Sequence, residues 1–125
     1  MNIEISIGEV VDKVTILSIK LAKFKDKVKF VNVKKEYDLL YPKIEEKGIT
    51  DESDEFIKLK KVNLKLWHIE DDIRIKESRQ EFDDDFIRLA RSVYFENDDR
   101  ARIKKGINLK YGSALVEEKE YVDYK

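Results

Sequence analysis

The stretch of residues 64–94 constrains the fold most, because it combines a strong helical period with charged residues where a simple bundle places leucine. Residues spaced by alternating steps of three and four lie on one narrow stripe of a helix. Seven residues share this spacing: Phe56, Leu59, Asn63, Leu66, Glu70, Ile73 and Glu77. The stripe therefore predicts a long helix with polar side chains at core-type positions.

Two interpretations of these polar positions stay open. A charge is costly to bury unless it is paired, so Glu70 and Glu77 could pair with Arg74 and Arg91 in a structural ion network that fixes the register of the bundle. The same side chains could instead line an open ligand site. The first interpretation predicts a closed network without a cavity, and the second predicts guanidinium groups that face a pocket.

The helical period continues through most of the chain, and we predict an all-α fold. A chain of 125 residues corresponds to about one domain, so residues 1–125 are expected to form a single helical domain. Its 42% of charged residues, against roughly 25% in ordinary globular chains, is typical of long helices with solvated faces. We expect a bundle of four to five long antiparallel helices, a short N-terminal strand at residues 2–6 and an extended C-terminal arm.

Capping residues and helix breakers predict the first three helix boundaries. Ser6 and Glu9 have the spacing of a capping box, which places the start of the first helix there. We expect a bend at residues 30–32 and a second helix that kinks or ends early near Tyr41, ahead of Pro42, with Gly48 beyond it. A third helix, capped by residue 50 or 51, should run to about residue 78.

Two further cap signals divide the second half of the chain. Residues 82–85 resemble a turn and an acidic helix start, followed by an apolar stripe that ends at Tyr94. The sequence Asn97, Asp98, Asp99 predicts a second cap that opens a fifth, basic helix, which should end at residues 111–112.

The length of the third helix favours a homodimer. At about 1.5 Å per residue, residues 51–78 would form a helix roughly 40 Å long. A compact domain of this size is only about 36 Å across. The helix would then span or overhang the monomer, and a second copy could cover its stripe.

Composition limits the partners. Twenty-six basic and 27 acidic residues leave a net charge of -1, so nucleic acid is not an expected partner. No apolar run approaches the roughly 18 residues that span a bilayer, and we expect a cytoplasmic protein without a membrane partner. The chain has no cysteine, and its one histidine, His68, lacks a neighbouring nucleophile signature. We predict no resident metal and no cofactor.

The best candidate for a ligand site is a set of polar residues that helical spacing could bring together. Arginine recognises phosphate or carboxylate through two parallel hydrogen bonds, which favours an anion-binding pocket. The candidate binding residues are Lys13, Glu70, Arg74, Glu77, Arg91, Tyr94, Asn97, Arg100 and Lys104. Carboxylates one helical turn apart, Glu9 with Asp12 and Glu81 with Asp84, are a weaker signal for Mg²⁺.

Several blocks of the chain resemble a known family. The segments GEVVDKVTIL, LWHIEDDIR, FIRLARSVYFENDDRARIK and INLKYGSALVEEKEY look like a family of small bacterial and phage proteins described as a domain of unknown function. The resemblance covers nearly the whole chain and implies no activity. It adds as candidate polar positions Asp12, Lys13, Glu70, Arg74, Glu77, Arg91, Asn97, Asp98, Arg100, Asn108, Ser113, Glu118 and Lys119.

The function that these observations favour is that of a small non-enzymatic binding or accessory protein. The alternative is a small all-helical enzyme or sensor that binds an anionic metabolite, bearing phosphate or carboxylate, in an Arg/Lys-lined pocket, with or without Mg²⁺.

Overall fold

The computed structural model describes residues 1–124, which contain four helices and no strand. They are α1 (Ile7–Lys23), α2 (Lys27–Glu45), α3 (Asp54–Ser78) and α4 (Asp84–Lys110). The all-α prediction is confirmed. The predicted strand at residues 2–6 is wrong: the segment is extended, but no second strand pairs with it within the described residues.

Helices α3 and α4 form a long antiparallel hairpin. Near its loop, the Nζ of Lys76 lies 2.8 Å from a carboxylate oxygen of Asp83. At the opposite end, the hydroxyl of Tyr111 donates to Glu55 at 2.6 Å. Helix α1 packs against α2, α3 and α4, so it is the central helix of the bundle.

The hydrophobic core lies at the end of the hairpin away from its loop. Its buried residues are Val11, Val14, Ile44, Ile49, Phe56, Leu59 and Ile107. No residue from 64 to 103 is buried. Phe24, just after the end of α1, packs against Trp67 of α3, and their ring centroids lie 6.2 Å apart. The half of the hairpin that carries the loop is therefore left without a covering helix.

Helix α1 begins where the sequence predicts. The side chain of Ser6 accepts a hydrogen bond from the backbone N–H of Glu9 at 3.2 Å, as in a capping box. Two residues later, the N–H of Gly8 donates to Oδ1 of Asn108 at 2.6 Å. A Cβ at this glycine would lie 2.5 Å from the backbone carbonyl oxygen of Lys104. Glycine thus permits the backbones of α1 and α4 to approach closely.

The break between α1 and α2 lies at residues 24–26, and the predicted bend at residues 30–32 is wrong. Phe24 leaves the helix with a ψ of 134°, and Asp26 caps α2 by accepting the N–H of Lys29 at 3.0 Å. A capping carboxylate outweighs the weak helix preference of the β-branched residues downstream.

Helix α2 continues through Pro42 to residue 45, so the early end near Tyr41, one of the two predicted alternatives, is wrong. The chain reverses at Gly48, which has a φ of 80° as predicted for a helix-ending glycine. The N–H of Ile49 then donates to the carbonyl of Ile44 at 3.0 Å.

Helix α3 begins at residue 54 with Ser53 as its N-cap, so the predicted cap at residue 50 or 51 is wrong. The helix ends at residue 78, as predicted. Helix α4 is continuous, so the predicted fifth helix does not form within the described residues. The residues of its predicted cap have other contacts: Asp98 accepts a hydrogen bond from Tyr124, and Asp99 pairs with Arg102. A local cap signal is overridden here by side-chain contacts along one helix.

The C-terminal arm (residues 113–124) runs back along α4 of its own chain. Ser113 accepts the N–H of Ile7 at 3.1 Å, and Glu117 lies 3.3 Å from Lys104. The hydrogen bond to Asp98 raises the pKa of Tyr124 to about 12. In residues 1–124 no helix has both the length and the apolar composition needed to cross a bilayer.

Candidate functional site

A buried carboxylate, Asp12, holds α1, α3 and α4 together. Its side chain is 1% exposed. The amide of Asn63 donates to its Oδ1 at 2.9 Å and to the hydroxyl of Thr15 at 2.8 Å. From α4, Arg100 donates through Nε to the same Oδ1 at 2.9 Å and through Nη2 to Oδ2. We call Asp12, Thr15, Asn63 and Arg100 the Asp12 cluster.

The carboxylate of Asp12 helps to keep two neighbouring cations, Arg100 and Lys104, in their charged form. The hydrogen bond with Asp12 raises the pKa of Arg100, in spite of partial burial. Beside it, burial alone would lower the pKa of Lys104, but the hydrogen bond to Glu9 at 2.7 Å and the nearby carboxylate of Asp12 raise it on balance. A buried carboxylate with two charged neighbours is stabilised in its place, because each charge offsets the burial cost of the other.

An open groove begins at the Asp12 cluster, where α1 leaves the hairpin. It has a volume of about 530 Å³. Four apolar residues of α1 and α3 form one part of its wall: Ile16, Ile19, Leu66 and Trp67. Six polar residues form the rest: Asn63, Glu70, Asp71, Arg74, Asn97 and Arg100. We call this cavity the α1–α3–α4 groove.

Two guanidinium groups offer donors in this groove. Arg100 uses Nε and Nη2 on Asp12, and its Nη1 makes no hydrogen bond in the described part of the chain. Arg74 donates to Glu70 at 3.2 Å, but the two side chains are 78% and 51% exposed. An exposed ion pair of this kind contributes little to stability, so Arg74 can exchange Glu70 for another anion at low cost.

The structure brings four of the nine predicted site residues together in the groove: Glu70, Arg74, Asn97 and Arg100. Lys104 lies beside the Asp12 cluster, with its Nζ 3.9 Å from Asp12. The remaining four lie elsewhere on the surface. Lys13 is 3.8 Å from Glu36, Glu77 is exposed, Arg91 stacks over the ring of Phe95, and Tyr94 packs against Tyr124.

The two interpretations of the polar stripe each describe part of what is present. Arg74 pairs with Glu70 and also lines an open groove, whereas Arg91 does neither. A partly buried ion pair does exist, but it joins Arg100 of α4 to Asp12 of α1.

The spacing of four residues on α1 indicates the Asp12 cluster, although the hydrophobic pattern does not. The spacing Gly8, Asp12, Thr15, Ile19 forms a second helical stripe on α1, and all four residues are buried. Hydrophobic periodicity alone counts only the last of them, so it does not identify Asp12 as a buried residue. The family resemblance did include Asp12, Arg100 and Asn108 among its candidates.

Three of the four carboxylates considered for Mg²⁺ are engaged with cations. Glu9 binds Lys104, and Asp12 binds Arg100. In the second pair, Glu81 lies 3.2 Å from the Nζ of Lys76. Within residues 1–124 no group of three or more His, Cys, Asp or Glu side chains is arranged to hold a metal ion.

Comparison with known proteins identifies one relationship. A family model described as "Family of unknown function (DUF6165)" matches residues 1–124. No curated protein and no solved structure matches the chain.

Proposed function

The chain belongs to this family of unknown function, and we propose from the geometry of its groove that it is a non-enzymatic binding protein for a small anionic molecule. The ligand class is an organic phosphate or carboxylate with an apolar body. One observation carries the proposal: Arg74 and Arg100 line the same groove as Trp67 and three aliphatic side chains.

The apolar wall provides the binding surface for the body of the ligand. Small-molecule sites are concave and mostly apolar, with a few polar groups that fix orientation, and their volumes fall at about 300–1,000 Å³. The groove lies in that range at about 530 Å³. An aromatic or aliphatic ligand would pack against the indole of Trp67 and the side chains of Ile16 and Ile19.

The polar wall provides the recognition of the anion. A guanidinium binds phosphate or carboxylate through charge-assisted hydrogen bonds, which are stronger than neutral ones. Asn63 and Asn97 add amide groups at the same end of the groove. Glu70 and Asp71 would repel a second anionic group, so the groove favours a ligand with one phosphate or one carboxylate.

Binding without catalysis is favoured because the buried carboxylate is already engaged. Both oxygens of Asp12 accept hydrogen bonds from Arg100, and one accepts another from Asn63. A general base needs a free lone pair within reach of the substrate. An enzyme or sensor, with or without Mg²⁺, stays the alternative, and it would need a catalytic group outside the Asp12 cluster.

The homodimer and the cytoplasmic location expected from the sequence are likewise proposals. The uncovered half of the α3–α4 hairpin supports the homodimer.

The single tryptophan of the chain lines the groove, so its fluorescence tests the proposal directly. We expect phenyl phosphate and phenylacetate to change the emission of Trp67 saturably, and benzylamine, of similar shape but opposite charge, to leave it unchanged. Replacing Arg74→Met should weaken binding of phenyl phosphate about 10-fold to 100-fold, because a hydrogen bond to a charged group contributes about 1.5–3 kcal/mol.

The matched control is Arg88→Met, which removes an equally exposed arginine of the hairpin that pairs with Asp85 outside the groove. It should bind phenyl phosphate as the parent does. Binding of benzylamine in place of the two anions, or equal affinities of the parent and Arg74→Met, would overturn the proposal. Arg100 is unsuitable for this test, because its loss would leave Asp12 buried without its charged partner.

A further inference from the structure

We propose that the uncovered half of the α3–α4 hairpin, residues 68–96, packs against the same half of a second copy of this chain. The two hairpins would form a four-helix bundle around a two-fold axis. This half shares Glu70, Asp71 and Arg74 with the groove, but the pairing of the two hairpins does not require a ligand.

The first observation is the distribution of buried residues along the hairpin. At the covered end, α3 contributes Phe56, Leu59 and Val62 to the core, and α4 contributes Ile107. From residue 68 to residue 96 no side chain of either helix is buried. Two helices alone cannot enclose a core, since each shields only one side of the other, and most helical stability comes from packing of an apolar face.

The second observation is that the uncovered half is nevertheless apolar. Ile75, Phe82 and Ile87 are 48%, 57% and 52% exposed. Ile69, Ile73, Phe86, Leu89 and Val93 are only half-buried. The C-terminal arm packs on Tyr94 and Phe95 through Tyr124, at the margin of this region. The hairpin therefore presents an apolar surface of the kind that marks interaction sites.

The third observation is the charge on this surface. Among the residues that the structure describes, Asp71, Asp72 and Glu77 of α3 make no ion pair, and neither does the guanidinium of Arg91 on α4. A two-fold axis that runs along the length of the hairpins places α3 of one copy beside α4 of the other. Unpaired acidic side chains of α3 would then lie near Arg91 of the partner, and the contact would occur twice.

These charges select a second copy as the occupant. A partner that carried only negative or only positive charge could pair with Arg91 of α4 or with the acidic side chains of α3, but not with both. A second hairpin complements both and supplies the two helices that a bundle still needs. Cyclic two-fold dimers are also the commonest assemblies of soluble chains.

Sedimentation velocity of the full chain, over about 1–100 µM, tests the inference. We expect the parent to sediment at twice the mass of the chain at the upper end of this range. Ile87→Glu should weaken association by about tenfold or more, because each interface would contain two buried carboxylates without partners. Leu109→Glu is the matched control: it changes an apolar residue that is 68% exposed on the same helix but outside the uncovered half.

A dimer lost in Ile87→Glu and kept in Leu109→Glu, with unchanged helix content by circular dichroism, supports the inference. A parent that stays monomeric overturns it. A dimer that survives both Ile87→Glu and Ile75→Glu, or that dissociates in Leu109→Glu alone, overturns it too, because the interface would then lie elsewhere. Phenyl phosphate binding in the groove can be measured on every variant, so the two proposals fail separately.

Discussion

At the scale of single residues, one glycine decides how closely α1 and α4 approach. A methyl group on Gly8 would meet the carbonyl oxygen of Lys104 at 2.5 Å, which is backbone and cannot rotate away. The helices would have to separate, and this would also stretch the hydrogen bond from Gly8 to Asn108. We expect Gly8→Ala to lower the free energy of unfolding by about 1–3 kcal/mol, measured by urea denaturation.

A second glycine of the same helix pair gives the control. Gly106 lies inside α4, and a Cβ there would meet no atom within 4 Å. Gly106→Ala should stabilise the protein by about 0.5–1 kcal/mol, since alanine loses less conformational freedom in a helix. If both variants changed stability in the same direction, the close approach at Gly8 would not be the cause.

At the scale of helices and their contacts, an ion pair joins the start of α3 to the end of α4. The ammonium of Lys110 and the hydroxyl of Tyr111 both donate to Glu55, whose side chain is 15% exposed. The hydrogen bond from Lys110 is the larger cause, and together they lower the pKa of Glu55 from 4.5 to about 2. The carboxylate is thus ionised in the folded chain at pH values where it is protonated in the unfolded chain.

The sign of the pH dependence follows from this difference. Between about pH 4.5 and pH 2 the unfolded chain binds one proton more at Glu55 than the folded chain, so stability falls as the pH falls through this window. Lys110 is largely exposed, so we expect a loss of only about 1–2 kcal/mol from this group.

Denaturation of Glu55→Gln across the same pH range measures the contribution of this pair. The variant should be less stable than the parent at pH 7 and should approach it near pH 2. Glu52→Gln, at an exposed position nearby that makes no ion pair within residues 1–124, should follow the parent. A constant difference between Glu55→Gln and the parent would contradict the assignment.

Local signals predicted the helices themselves better than the breaks between them. Ser6, Gly48 and Ser78 lie at boundaries that the sequence placed correctly, because each boundary depends on its own residues. The predicted caps at residues 97–99 and the bend at residues 30–32 failed for a different reason. The cap at residues 97–99 does not form because these residues contact the C-terminal arm and other residues of α4. The bend at residues 30–32 does not form because the carboxylate of Asp26 provides a stronger cap upstream.

At the scale of the whole molecule, the sequence predicted that a long helix would extend past its neighbours, but it could not say which polar residues would be covered. The position of α1 along the hairpin decides this. Helix α1 covers Asn63 and Arg100 and stops near Trp67, so Glu70 on the same stripe and Arg74 beside it stay exposed. The spacing of apolar residues predicts which side of a helix packs against its neighbours. The length of the neighbouring helix decides how far along that side the packing extends.

This division of the hairpin predicts two levels of stability. Amides of the covered part, such as those of α1 and residues 104–108, are protected by the core and should exchange with solvent only on global unfolding. Amides of residues 68–96 have no core above them in the single chain and should exchange through local opening. Pairing of two hairpins would slow that opening, so we expect hydrogen exchange in this segment to become slower as the concentration rises past the dissociation constant of the dimer.

Hydrogen exchange can be measured by mass spectrometry of peptides at two protein concentrations. Peptides from the covered part serve as the internal reference for peptides from residues 68–96. The concentration should change exchange in residues 68–96 and leave the covered part unaltered. Ile87→Glu should show the fast exchange of the dilute parent at both concentrations. Exchange in residues 68–96 that is slow in dilute parent protein would mean that the hairpin is stable on its own, and the need for a second copy would disappear.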